Sequence, residues 1–428
     1  MAKRQIHPAL RQIGNDGDLA ERTLPNGLRL IHRPSASTRL VHVAVVLDVG
    51  SRDEAPDQFG FAHCLEHMAF KGTAKRKSYH ILTRIDSVGG ELNAFTTKEK
   101  VTYHATVTAE HLDRALELLA DITFGPTFPA HELEKEKRVI ADEIDSYRDD
   151  PEEAIFEDFD AHLYGDHPLG HTILGTRSTL AAASPQSLHA FLHQALAPGR
   201  VVVSIAGNAS PAQVFALAER YFADYPLPGS AHHRQAPRVT VPGPSTTRMG
   251  IQQGHLIWGG EAYALTDPAY LPFSLLTYYL GGPSMNSRLA LSVRERHGLT
   301  YNIQTYNQPF ADTGIWGVYA ASEPGYLPRI EQLVQREFDA LLAGPLPTTT
   351  FERLKRQFVG SLIIGHESLF HQLLAQAKDL LDVGRCVTLE ELVAAYERLT
   401  PHDLYAAAKA RLAPEALTQL RILPSPDA

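Results

Sequence analysis

Cysteine is scarce in this 428-residue chain: only Cys64 and Cys386 occur. They lie far apart in sequence and frame no disulfide scaffold, so a reducing compartment is expected. Long apolar runs are missing as well. The longest, such as Leu40 to Val49 and Val201 to Ala206, fall far short of a membrane span and read as buried strands. No membrane partner is expected. An excess of positive charge is also missing: the formal charge is -9, which argues against a nucleic-acid binder. Met1 to Gly14 carries Lys3, Arg4 and Arg11 but no apolar core, so no secretory signal is read there. It has no serine either, which favours a bacterial-type cytoplasmic location over a mitochondrial matrix one. What remains is a 44% hydrophobic chain of mixed charge, globular and long enough for two domains.

The most informative stretch is Phe61-Ala62-His63-Cys64-Leu65-Glu66-His67-Met68-Ala69-Phe70. No proline interrupts it and Gly72 follows as a stop, so a helix is expected. On a helix, His63 and His67 stand one turn apart on one face, where two neutral imidazoles can reach one metal ion. Glu66, three residues after His63, lies beside that face and is placed to touch a water rather than the metal. H-x-x-E-H is the inverted zinc-protease order. Cys64 lies about 100° round the helix and reads as core.

Asn26-Gly27 marks a hairpin turn, and Val41 to Asp48 a strand. Ser78 is expected to cap a helix that stops at Gly89-Gly90. Glu91 to Thr97 and Val101 to Val107 read as a hairpin around Lys98-Glu99-Lys100. A helix from His131 to Tyr147 has an apolar face of Leu133, Val139, Ile140, Ile144 and Tyr147. Glu136 and Glu143, seven residues apart, fall on or beside that face. Carboxylates there are costly unless a cation or hydrogen bonds compensate. A metal on His63 and His67 would provide such a cation; the structural alternative is that one or both glutamates are solvated or paired with Lys137 or Arg138. His162, His167 and His171 lie in turn-like sequence and read as loop histidines. Residues 225–247, rich in Pro, Gly, Ser and His, form a linker between domains at 1–224 and 248–428. The second half echoes the first at a constant offset, from Phe128-Pro129 onto Leu346-Pro347. In that register Glu136 becomes Leu354 and Glu143 becomes Ser361, and no second H-x-x-E-H occurs. The pattern is a duplicated domain whose first copy kept the metal chemistry.

Together these motifs resemble the M16 (pitrilysin, or insulinase) metallopeptidases, most closely the short-chain processing-peptidase-like group. His63 to Thr73 is nearly the whole first block of that family, and Gly89-Gly90-Glu91-Leu92-Asn93-Ala94 looks like its substrate-strand block. Arg294-Glu295-Arg296-His297-Gly298-Leu299-Thr300-Tyr301 resembles its Arg/Tyr block; an extra residue within Pro283 to Asn286 is a departure.

The resemblance implies an α+β architecture of two homologous domains, each an antiparallel sheet with helices packed on one face. It implies one Zn2+ per chain on His63, His67 and Glu143, with Glu136 supporting a ligand. Glu66 would be the base of a zinc endopeptidase. Asn93, Ala94, Phe95 and Thr96 would form an edge strand pairing with an extended peptide in an enclosed chamber. Arg294 and Tyr301 would bind substrate near the scissile bond, from the second chain of a homodimer or of a heterodimer with a related subunit. The alternative is a catalytically silent core subunit, against which the intact set of His63, Glu66, His67 and Glu143 speaks. A metal-binding protein without peptidase activity is the further alternative.

Overall fold

The computed structural model describes residues 19–230 and 234–426; the segment read above for targeting signals lies outside them. The first half runs β1 (Ala20–Thr23), β2 (Arg29–Pro34), β3 (Leu40–Leu47), α1 (Phe61–Ala69), α2 (Ser78–Asp86), β4 (Glu91–Thr96), β5 (Val101–Thr108), α3 (Leu112–Phe124), α4 (Ala130–Asp149), α5 (Pro151–Tyr164), α6 (Arg177–Ala182), α7 (Pro185–Ala195), β6 (Val201–Gly207) and α8 (Pro211–Phe222). The second runs β7 (Ser245–Met249), β8 (Gly254–Glu261), α9 (Tyr270–Gly281), β9 (Asn302–Pro309), β10 (Gly314–Ser322), α10 (Leu327–Leu342), α11 (Thr348–His366), α12 (Leu369–Asp382), α13 (Leu389–Glu397), α14 (Pro401–Arg411) and β11 (Thr418–Pro424). Among the described residues no helix is long and apolar enough to cross a membrane.

Strand order is β1-β2-β6-β3-β5-β4 in one sheet and β7-β11-β8-β10-β9 in the other. From β2 and β7 onward the two orders match. So do the pairings: β2 with β6 and β7 with β11 are parallel, and the rest are antiparallel. The duplication read from the α4 and α11 sequences therefore extends to sheet topology. The β1–β2 hairpin turns at Asn26-Gly27 as expected, with Gly27 at φ 88.

The chain packs as two compact units that are not contiguous in sequence. One takes residues up to Ile144, from Thr172 into the linker, and Ile363–Glu390. The other takes Asp145–His171, Arg234–Leu362 and the chain from Glu391. A cut at the linker into 1–224 and 248–428 thus does not describe the packing. The cause is the second face of each sheet. In the first unit, α1 and α3 cover one face, while Ile31, Ala44, Val46 and Val202 on the other pack against Leu373, Ala377 and Leu380 of α12. In the second unit, Ile257, Ile315 and Leu420 pack against Ile155 and Phe159 of α5. Apolar residues on both faces need cover on both faces.

Two smaller expectations change. Lys77, not Ser78, is the N-cap of α2, and Ser78 is its first helical residue. On α4 the buried residues are Leu133, Glu136, Ile140 and Ile144, while Val139 and Tyr147 are 49% and 36% exposed.

Candidate metal centre

The helix α1 starts at Gly60, in the left-handed region at φ 94. A side chain there would meet Leu174 O at 2.6 Å, and one on Gly175 would meet Phe59 O at 2.1 Å. Two glycines back to back let the segments touch and set where the helix begins. The buried carboxyl of Glu54 accepts from Gly60 N at 2.8 Å and Ala62 N at 2.6 Å, satisfying first-turn donors that have no helical partner. Phe61, Cys64, Leu65 and Met68 anchor the helix in the core. Cys64 is inert there: burial pushes its thiol up to about 12.

The opposite face presents the histidines. Their rings lie 4.6 Å apart. Oε2 of Glu143 stands 3.7 Å from Nε2 of both His63 and His67, and the three donors lie within 4.8 Å of one another. Among the described residues no other such group of His, Cys, Asp and Glu occurs. Zinc lies about 2.0–2.2 Å from nitrogen and oxygen donors, which sets tetrahedral ligands roughly 3.3 Å apart. The two Nε2–Oε2 separations of 3.7 Å fit that requirement. His63 is held down to about 3, by burial first and by neighbouring His67 second, so it is a neutral imidazole with a lone pair to give.

Glu136 is 6% exposed and stands behind His67. Its Oε2 lies 3.0 Å from His67 Nδ1, and Lys71 Nζ lies 2.7 Å from its Oε1. The Nδ1–H of His67 donates to this carboxylate, which leaves Nε2 free for a metal. Neither glutamate uses Lys137 or Arg138; Lys137 pairs with Glu134 instead. His63 differs: its Nδ1 is buried with no hydrogen-bond partner among the described residues.

Glu66 is half-buried, and burial raises its carboxyl above the usual range while the Thr96 hydroxyl opposes the rise. Thr96 Oγ1 donates to Glu66 Oε2 at 2.5 Å. Thr96 ends β4, the edge strand of its sheet. Leu92 and Ala94 face the core from that strand, while Asn93 and Phe95 are exposed. Arg294 lies in the other unit, on a π-helical segment, Ala290–Glu295, with its Nε 2.9 Å from Glu295. Tyr301, just before β9, is 92% exposed. Among the described residues, His162, His167 and His171 join no metal-type cluster. His162 meets Thr418 and His167 meets Gln235 O, both at 2.9 Å. Sequence reasoning missed Glu54, Lys71 and the Thr96 side chain as contributors, because long-range contacts leave no local spacing.

Two family profiles match the chain: Insulinase (Peptidase family M16) over residues 29–177, and Peptidase M16 inactive domain over 182–358. A Bacillus subtilis protein named an uncharacterized zinc protease is 34% identical over 371 residues, covering 87% of this chain and 90% of the relative. One of the same description from Streptomyces coelicolor is 33% identical over 405 residues, covering 92% and 87%. Among solved structures, a peptidase M16 inactive domain from Pseudomonas fluorescens aligns with a TM-score of 0.88 at 21% identity, covering 96% of this chain and 98% of that one. A protease from Helicobacter pylori aligns at 0.87 and 21%, covering 96% and 100%. At these identities the structural likeness speaks for the fold.

Proposed function

The chain belongs to the insulinase family of M16 peptidases, and from that premise we propose that it is a zinc-dependent endopeptidase acting on extended peptide segments. The observation that carries this reading is the convergence of His63, His67 and Glu143 beside a half-buried Glu66. One ion per chain would be held by those three side chains. When bound, zinc supplies Lewis acidity that polarises a carbonyl and acidifies a water. Glu66 would take a proton from the attacking water and return it to the nitrogen of the departing amine. Glu136 keeps His67 in the tautomer whose Nε2 can ligate.

The β4 edge offers Asn93, Ala94, Phe95 and Thr96 to a peptide that pairs as an added strand in an enclosed chamber. Such pairing tolerates many sequences. Tyr301, exposed as it is, and Arg294 are read as substrate contacts, supplied to the zinc site of a second chain in a homodimer or a related heterodimer. Two free cysteines fit a cytoplasmic setting.

Glu66→Gln tests the reading. The amide cannot act as a base while the three ligands remain, so cleavage of a quenched peptide should fall at least ~100-fold with zinc retained. Near wild-type cleavage by the purified variant would remove Glu66 from this role.

A further inference from the structure

The residue that ends the edge strand does more than offer its backbone. We infer that Thr96 is a positioning residue: its hydroxyl aims the Glu66 carboxylate and ties that aim to the strand on which a peptide would lie. This rests on the reading of Glu66 as the base.

Three observations carry it. The first is the bond itself, 2.5 Å from Thr96 Oγ1 to Glu66 Oε2, joining residues thirty apart in sequence. Oε1 has no hydrogen bond to any described residue, so one carboxylate oxygen is held and the other is left for proton transfer. A hydroxyl that donates to a carboxylate makes a charge-assisted bond, roughly twice as strong as a neutral one. The second is the direction of the side chain. β4 alternates, with Leu92 and Ala94 toward the core of α1 and α3. Thr96 shares that phase, so its hydroxyl reaches α1 while the strand's free edge stays open.

The third is the rigidity of the strand's end. Thr97 N donates to Lys100 O at 2.7 Å, and Arg52 N donates to Lys98 O at 2.8 Å, so the β4–β5 turn docks on the Ser51–Asp53 segment. Arg52 and Glu99 form a buried ion pair at 2.7 Å across that contact. Gly50 packs so close that a side chain there would stand 2.4 Å from Thr97 O. Thr96 is therefore anchored on one side, while the strand's open edge is the side a substrate would touch. A carboxylate freed from this bond would sample several rotamers, and only some point at a water beside His63 and His67.

The test compares Thr96→Val, Thr96→Ser and Glu66→Gln on one quenched peptide, with kcat, KM and zinc content measured for each. Valine keeps the branched shape and removes the donor; Thr96→Ala serves if the valine variant does not fold. The expected result is a fall in kcat of about 10- to 100-fold in Thr96→Val, with KM within about twofold and zinc unchanged. Thr96→Ser should recover to within about threefold of wild type. The inference is overturned if Thr96→Val keeps its kcat, if only KM moves, if zinc is lost, or if serine fails to rescue. A dead Glu66→Gln beside a fully active Thr96→Val defeats this inference alone, whereas an active Glu66→Gln defeats the proposed base itself.

Discussion

Glu136 and Glu143 sit two turns apart on one helix, yet they meet different partners. Glu143 Oε2 faces both imidazoles at 3.7 Å, while Glu136 is spent on His67 Nδ1 and Lys71. The glutamate beside both imidazole Nε2 atoms is the one placed to ligate. Glu143→Gln should therefore lose zinc far more readily under mild chelation than Glu136→Gln. Loss of a partner behind the ligands typically costs 10- to 100-fold in metal affinity, and loss of a charged ligand costs more. Metal content after dialysis against a weak chelator measures this; equal loss, or the reverse order, would exchange the two roles. In the second copy the same helix positions hold Leu354, which is buried, and Ser361, whose hydroxyl lies 2.9 Å from that of Tyr278. An apolar side chain and a neutral hydroxyl need no cation, and none of the ligand set survives there.

The element that organises the site, α1, depends at its start on Glu54. Burial pushes that carboxyl up to about 8, although the N–H groups of Ala62 and Gly60 pull the other way. An unfolded glutamate titrates near 4.3. The folded chain therefore binds the extra proton between those values, and the stability this contributes is present at low pH and lost as pH rises through about 8. The melting temperature of wild type should fall between pH 6.5 and 9 more steeply than that of Glu54→Gln, which cannot titrate. Parallel slopes would mean that Glu54 is already ionised at neutrality. Nothing in the sequence singles Glu54 out, because its partners Gly60 and Ala62 follow no motif spacing.

The helix itself was legible, since His63 to His67 is a local i, i+4 pattern and needs no knowledge of the fold. The face of α4 was only partly legible. Leu133, Ile140 and Ile144 are buried as read, but Val139 and Tyr147 are not. Apolarity alone does not say which of two neighbouring stripes meets the core, and here buried Glu136 took a place on it.

At the scale of the whole molecule, the duplication was legible from a repeated helix sequence, but the assignment of α5 and α12 to their sheets was not. β6 and β10 are buried at every position, as strands covered on both faces must be. His63, His67 and Glu143 fall in one unit and the Arg294/Tyr301 segment in the other. If a second chain supplies that segment, Glu66→Gln and Tyr301→Phe should each be nearly inactive alone. After subunit exchange, the mixture should recover up to about a quarter to a half of wild-type activity. No recovery with exchange verified would place both groups on one chain's site or remove Tyr301 from it. The most direct measurement of the central claim joins metal to turnover in purified protein. Zinc content is determined, a quenched peptide library is digested, and the products are read by mass spectrometry. The account predicts one zinc per chain, internal peptide-bond cleavage abolished by chelation, and activity restored by adding zinc. A chain that binds its zinc fully and cleaves nothing, alone or mixed with a related subunit, would contradict it and identify a silent structural member of the family.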